Sequence, residues 1–185
     1  MIDLGQNKKR GYLISGIVIL VVIIDQVSKY LVKSFMRLGD SYNIFGNFFK
    51  LTYIENYGMA FGIQLGNRFV FSVLSILAVF LIIYYLIQSF KGQLFMSISL
   101  SLILGGAIGN LIDRIWNGRV VDFLDFEFFN INIPRFELLS LNFSGYQLDR
   151  WPIFNIADSA VTCGMIMVTI VVFTIKDQRK QEIIK

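Results

Sequence analysis

Four stretches of the chain are nearly free of charge, and each has roughly the 20 mainly apolar residues that a helix needs to cross a bilayer. Phe69 to Phe90, FVFSVLSILAVFLIIYYLIQSF, carries no charge, and neither does Gly92 to Ile112, GQLFMSISLSLILGGAIGNLI, which runs into Asp113 and Arg114. Only Lys91 separates the two, so they are predicted to form a tight helical hairpin. The other two, about Tyr12 to Val32 and about Phe154 to Ile175, are each interrupted by acidic residues near one end. The pattern predicts an all-α membrane fold, a bundle of four transmembrane helices at about 12–32, 69–90, 92–113 and 154–175. The connections at about 33–68 and 114–153 would then share one side.

Those connections are ordered in character. In YNIFGNFFKLTYIENYGMAFG, residues 42 to 62, Phe49, Leu51, Tyr53 and Ile54 lie between turn residues as short strands do. In VVDFLDFEFFNINIPRFELL, residues 120 to 139, Phe123, Phe126, Phe128 and Phe129 alternate loosely with Asp122, Asp125 and Glu127. A small β-sheet resting on the membrane surface, with aromatic rings at headgroup depth, is the expectation. No repeat, low-complexity tract or second domain is evident, so residues 1–185 read as one membrane domain.

Composition agrees with this reading: 55% of the 185 residues are hydrophobic and 16% charged. Lys8, Lys9 and Arg10 followed by an apolar run resemble a secretory signal, but no small-residue cleavage site follows and the run continues into DQVSK, so the first helix is read as retained. Basic residues are densest in the tails, with Lys176, Arg179, Lys180 and Lys185 at the other end, and the positive-inside rule then favours cytoplasmic termini. The net charge of +4 flanks helices and forms no nucleic-acid stripe. One cysteine, Cys163, excludes an internal disulfide and reads as a core residue. The chain has no histidine, which removes imidazole-based triads, HExxH zinc motifs and ordinary haem ligation. Chemistry must come from carboxylates, Lys, Arg, Tyr, Ser or Asn.

Such residues gather at the predicted outer helix ends. Asp25 and Lys29, four apart, share a helix face and can neutralise each other as an ion pair at the boundary. Gly105 and Gly109 make a small-xxx-small pattern that lets another helix approach, with Asn110 able to bond across it. Asn110, Asp113 and Arg114 fall within five residues of one another and need partners. Asp122 and Asp158 belong to the same boundary. Two carboxylates that meet cannot both ionise easily, so one can act as acid while the other activates water as base. Spacing alone leaves open the alternative of ordinary interfacial acids paired with Arg114 or Arg119. A transporter or proton relay would spread charge through the membrane thickness, which the two uncharged runs do not. A structural assembly subunit, with Gly105 and Gly109 as its interaction face, gives no reason for so many Asn and Asp residues at one boundary.

Four blocks, DQVSK at 25–29, NYGMAFG at 56–62, GGAIGNLIDR with GRVVDFLDF at 105–126, and FNIADSAVTCG at 154–164, together resemble lipoprotein signal peptidase, or signal peptidase II. They stand in that family's order and span nearly the whole chain. The resemblance implies a bacterial inner-membrane aspartic peptidase with four transmembrane helices and a small periplasmic sheet that cradles the substrate. It further implies removal of signal peptides from prolipoproteins, just before a cysteine carrying diacylglycerol, with no metal or organic cofactor. By motif, Asp122 and Asp158 would be the catalytic pair. Asn56, Asn110, Arg114 and Asn155 would line the site and bind polar groups, with Asp25 and Asp113 in support. Membrane lipid and the prolipoprotein are the implied partners, nucleic acid is not, and a monomer suffices. The connection from Asp125 to Trp151 is longer than the family's usual one, with FNINIPRFELLSLNFSGYQLDR inserted between the two aspartate blocks.

Overall fold

A computed structural model describes residues 4–57, 68–90, 92–127 and 150–184, together with the strand segments 131–133, 136–138, 141–143 and 146–148. Gly58 to Gly62 of the NYGMAFG block lie outside the described residues.

The four apolar runs are the helices α1 (Leu4–Phe35), α2 (Arg68–Ser89), α3 (Leu94–Asn117) and α4 (Ile156–Ile184). All four are long and apolar enough to cross a membrane. Most of their apolar side chains face outward, Ile19, Ile23, Leu77, Phe80, Ile166 and Phe173 among them, because lipid is as good a solvent for them as a core. α3 is the exception: 44% of its apolar window is buried, against 6% for α2. It is the central helix, packed against α1, α2 and α4.

Small residues make that position possible. A Cβ on Gly105 would lie 2.8 Å from Val21 Cβ of α1, one on Gly109 would lie 2.6 Å from Asp25 Oδ2, and one on Gly106 would collide with the Ala157 carbonyl oxygen of α4. From α4, Gly164 allows the reciprocal approach to the Ser99 carbonyl of α3. The Gly105/Gly109 pattern thus marks contact with α1, while Gly106 does the same for α4.

α1, α3 and α4 run past their predicted C-terminal ends, while α2 keeps its predicted bounds to within a residue. α3 continues to Asn117 rather than stopping near Asp113, because Asp113 finds partners within the bundle and nothing compels the chain to leave there. It ends at Gly118, whose φ of 69° is the left-handed conformation glycine adopts at little cost, with its N–H donating to the Arg114 carbonyl at 3.1 Å. Cys163 is a further correction: it is exposed on the outer face of α4, since an apolar run gives the same signal whether it faces protein or lipid.

The sheet carries strands β1 (Ser41–Phe45), β2 (Phe49–Asn56) and β3 (Val120–Phe126), antiparallel in that order. Tyr53, Val121 and Phe123 from its inner side join Val32 of α1 in a small core, with Ile156 of α4 packed on it. Between Leu51↔Leu124 and Ile54↔Asp122 two residues of β2 face one of β3, a bulge that resets which side chains of β2 share the face of Asp122. In the insert, β4 (Ile131–Ile133) pairs with β7 (Tyr146–Leu148) and β5 (Phe136–Leu138) with β6 (Leu141–Phe143). Both pairings are antiparallel, with Ile131↔Leu148 and Phe136↔Phe143 as their outer rungs.

Candidate active site

The start of α4 is fixed from both sides. Phe154 pairs with Leu124 of β3, its carbonyl accepting from the Leu124 N–H at 2.8 Å and its own N–H donating back to the Leu124 carbonyl at 3.1 Å. Two residues later, at Ile156, the helix begins, and its first N–H groups need acceptors. Asn155 Oδ1 accepts from the Asp158 N–H at 2.9 Å, and Asp158 Oδ2 accepts from the Asn155 N–H at 3.2 Å. This reciprocal pair is a capping box built from Asn and Asp. The Ala157 N–H donates instead to Asp25 Oδ1 of α1 at 2.9 Å. Asp158 therefore sits where the helix dipole favours a negative charge, and its place at the start of an apolar helix has a local cause.

Asp122 is brought alongside by β3, whose neighbour Leu124 holds Phe154. Its side chain is 1% exposed, whereas Asp158 is half-buried. Two amides connect the carboxylates. Asn155 Nδ2 donates to Asp122 Oδ1 at 2.7 Å and to Asn110 Oδ1 at 3.1 Å, and Asn110 Nδ2 donates to Asp158 Oδ1 at 2.7 Å. Asn56, at the end of β2, donates from Nδ2 to Asp122 Oδ2 at 3.0 Å. Each carboxylate oxygen thus accepts an N–H.

Behind this layer lies a buried charge cluster. Lys29 Nζ reaches Asp25 Oδ2 at 2.8 Å, Asp113 Oδ2 at 2.9 Å and Asn110 Oδ1 at 3.0 Å, so the lysine ties α1 to α3 and turns the Asn110 amide so that its Nδ2 faces Asp158. Gln26 Nε2 donates to Asp25 Oδ2 at 3.0 Å and to Asp113 Oδ1 at 3.3 Å, and the Val121 N–H donates to Asp113 Oδ2 at 3.2 Å. Arg114, half-buried, interacts electrostatically with Asp158, Asp122 and Asp113. Among the described residues, Lys29 and Arg114 are thus the cations that face Asp25, Asp113, Asp122 and Asp158. Burial, and then the charge of Asp158, push the Asp122 carboxyl up to about 7, while hydrogen bonds from Asn56 and Asn155 and the charge of Lys29 pull it down.

All eight residues singled out in the sequence, Asp25, Asn56, Asn110, Asp113, Arg114, Asp122, Asn155 and Asp158, come together here. The Asp25–Lys29 pair forms as expected, but Lys29 does more than anchor a helix end: it bridges two carboxylates and an amide. Sequence reasoning misses Gln26, although it finds the neighbouring Asp25. Arg119, a candidate counterion to the aspartates, pairs instead with Glu55 at 2.7 Å and donates to Tyr57 Oη at 2.9 Å.

The chain as a whole, in sequence and in fold, has relatives among known proteins. The family model described as signal peptidase (SPase) II matches residues 17–174. The lipoprotein signal peptidases of Staphylococcus aureus strains JH9 and Newman are each 36% identical over 169 residues, 91% of this chain and 93% of theirs. Two solved bacterial membrane enzymes, obtained by the in meso method at 2.3 Å and 1.9 Å, superpose with TM-scores of 0.67 and 0.66 at 32% and 33% identity. The first alignment covers 93% of this chain and 90% of that one, the second 92% and 94%. With the family model matched over most of the chain and the overall architecture shared with those enzymes, the chain belongs to the signal peptidase II family.

Proposed function

We propose that Asp122 and Asp158 are the catalytic pair of an intramembrane aspartic endopeptidase that removes signal peptides from diacylglyceryl-modified prolipoproteins, cleaving before the lipidated cysteine. The chain's family is one of peptidases, and its relatives are named lipoprotein signal peptidases. One observation carries the assignment of residues. Two aspartates from distant parts of the sequence meet at one end of the bundle, joined by Asn110 and Asn155 and surrounded by more carboxylate than cation.

The pair works with one proton between its members. Burial and the charge of Asp158 raise the Asp122 carboxyl, which favours Asp122 as the holder of that proton, and Asp158, the more open of the two, takes one from water as the water attacks the scissile carbonyl. Asp122 then donates to the leaving amide nitrogen, and no covalent intermediate forms. Asn56, Asn110, Asn155 and Arg114 hold the carboxylates and the substrate's polar groups, while Asp25 and Asp113 support them through Lys29. The site's depth suits its substrate, since a signal peptide is itself a membrane helix whose cleavage bond lies near the outer boundary. The whole chain acts as a single membrane domain and as a monomer, with both termini cytoplasmic and the sheet on the periplasmic side.

The test is cleavage of a diacylglyceryl-modified prolipoprotein by the protein purified in detergent, followed by gel shift. Asp122→Asn and Asp158→Asn should each remove all detectable product while the protein stays folded. Full activity in either variant would remove the pair assignment.

A further inference from the structure

β2 ends at Asn56, whose pairing with Val120 is the last rung of its ladder with β3. Strand ends fray unless something beyond the backbone holds them. Asn56 and Ile54 share the face of Asp122, whereas Tyr53, Glu55 and Tyr57 interact among themselves and with Arg119. Glu55 accepts from Tyr53 Oη at 3.1 Å through Oε1 and from Arg119 NH1 at 2.7 Å through Oε2. The same Arg119 nitrogen donates to Tyr57 Oη at 2.9 Å, and the guanidinium carbon lies 5.7 Å from the centre of the Tyr57 ring.

Both sequence neighbours of Asn56 are therefore held by one side chain. That side chain follows Gly118, the residue that ends α3, and precedes Val120, which opens β3. Arg119 thus ties together the elements that carry Asn110, Asp122 and Asn56. We propose that Arg119 is a positioning residue of the peptidase: by clamping Glu55 and Tyr57 it holds Asn56 in place to donate to Asp122, without itself touching the carboxylate pair. The proposal rests on the catalytic reading of Asp122 given above. Tyr57 and Glu55 also favour the charged guanidinium, so the clamp persists across the working pH range.

The consequence is a pH signature. Asp122 is faced by Asp158 from α4, Lys29 from α1 and Arg114 from α3, with Asn56 and Asn155 as its neutral donors. Loss of the Asn56 donor leaves the ionised form of Asp122 less well stabilised, so the proton is held to higher pH. The alkaline limb of kcat/KM then moves upward. A residue that merely stabilised the fold would lower Tm and leave that limb in place.

The experiment compares pH profiles of kcat/KM for the full chain and for Arg119→Gln, Asn56→Ala and the double variant, with Glu55→Gln as a second route to the same clamp should Arg119→Gln not fold. Arg119→Gln and Glu55→Gln should each shift the alkaline limb in the direction of Asn56→Ala, and the double variant should shift it no further than Asn56→Ala alone. Arg119→Lys, which keeps the charge, should restore part of the wild-type position. An unmoved limb in both clamp variants while Asn56→Ala moves it, or additive shifts in the double variant, would overturn the proposal. Retained activity in Asp122→Asn would instead overturn the catalytic reading on which it rests.

Discussion

At the scale of single residues, the hard problem for this chain is carrying carboxylates in a low-dielectric bundle. Most are solved by partners: Asp25 accepts an N–H from α4 and pairs with Lys29, and Asp113 shares that lysine. Asp122 takes its hydrogen bonds from amides and lies near another acid, so burial lifts it to about 7. The linkage has a definite sign. A carboxyl raised above its unfolded value costs nothing at low pH, where both states are protonated, and costs stability as pH climbs from its ordinary value through about 7. Asp122→Asn should therefore be inactive yet more stable than wild type, by an amount on the order of 1 to 4 kcal/mol above about pH 8 and by little at about pH 4. Thermal melts at the two pH values check it, and equal differences at both would contradict the assignment of that shift. The need for a carboxylate is legible in the sequence once histidine is seen to be absent. The local cause of the Asp158 position is written there too, in the Asn-x-x-Asp spacing before an apolar run, but hydropathy starts the helix at Phe154 rather than Ile156 and so hides the cap inside it.

At the scale of elements, α3 decides the fold. Its glycines are not equivalent, and the structure says why. Gly106 faces the backbone of α4, where the collision with the Ala157 carbonyl cannot be relieved by a rotamer change. Gly16 of α1 faces open space, with nothing within 4 Å of where a Cβ would stand. Gly106→Ala should destabilise by about 1 to 3 kcal/mol and loosen Asp158 with the rest of the helix start. Gly16→Ala should be neutral or mildly stabilising. Melting temperature in detergent separates the two, and tolerance of Gly106→Ala would mean that α3 and α4 are packed less closely. Four helices, two strand-bearing connections and close packing at Gly105 and Gly109 are all readable from pattern. Two things are not. Helix ends depend on whether a charged residue finds partners inside the bundle, as Asp113 does, which no local window records. Outward and inward faces of a membrane helix are equally apolar, which is why Cys163 reads as a core residue and lies on the surface.

At the scale of the whole molecule, the buried carboxylates Asp25, Asp113, Asp122 and Asp125 gather at the sheet end of the bundle. The opposite end is closed by Arg10, which donates to the Ser89 and Gly92 carbonyls and to Ser97 Oγ. Cys163→Ala should leave activity intact, giving a cysteine-free background. In it, a cysteine introduced in place of Ser144 should react with an impermeant reagent added to the periplasmic side, and protection there would invert the proposed orientation. The sheet end also holds a latch. Arg150 pairs with Asp125 at 2.5 Å and with Glu127 at 2.9 Å, and donates to the Asn47 carbonyl at 2.8 Å, while the Trp151 N–H reaches the Phe126 carbonyl at 2.9 Å. Where the insert departs and returns, the chain is therefore stitched to the sheet independently of what lies between. Closing a longer loop adds only about 0.6 kcal/mol per doubling of its length. This is the place where foreign sequence could be grafted, or native sequence trimmed, with the carboxylate floor left undisturbed, and so the place where the scaffold is freest to acquire new recognition.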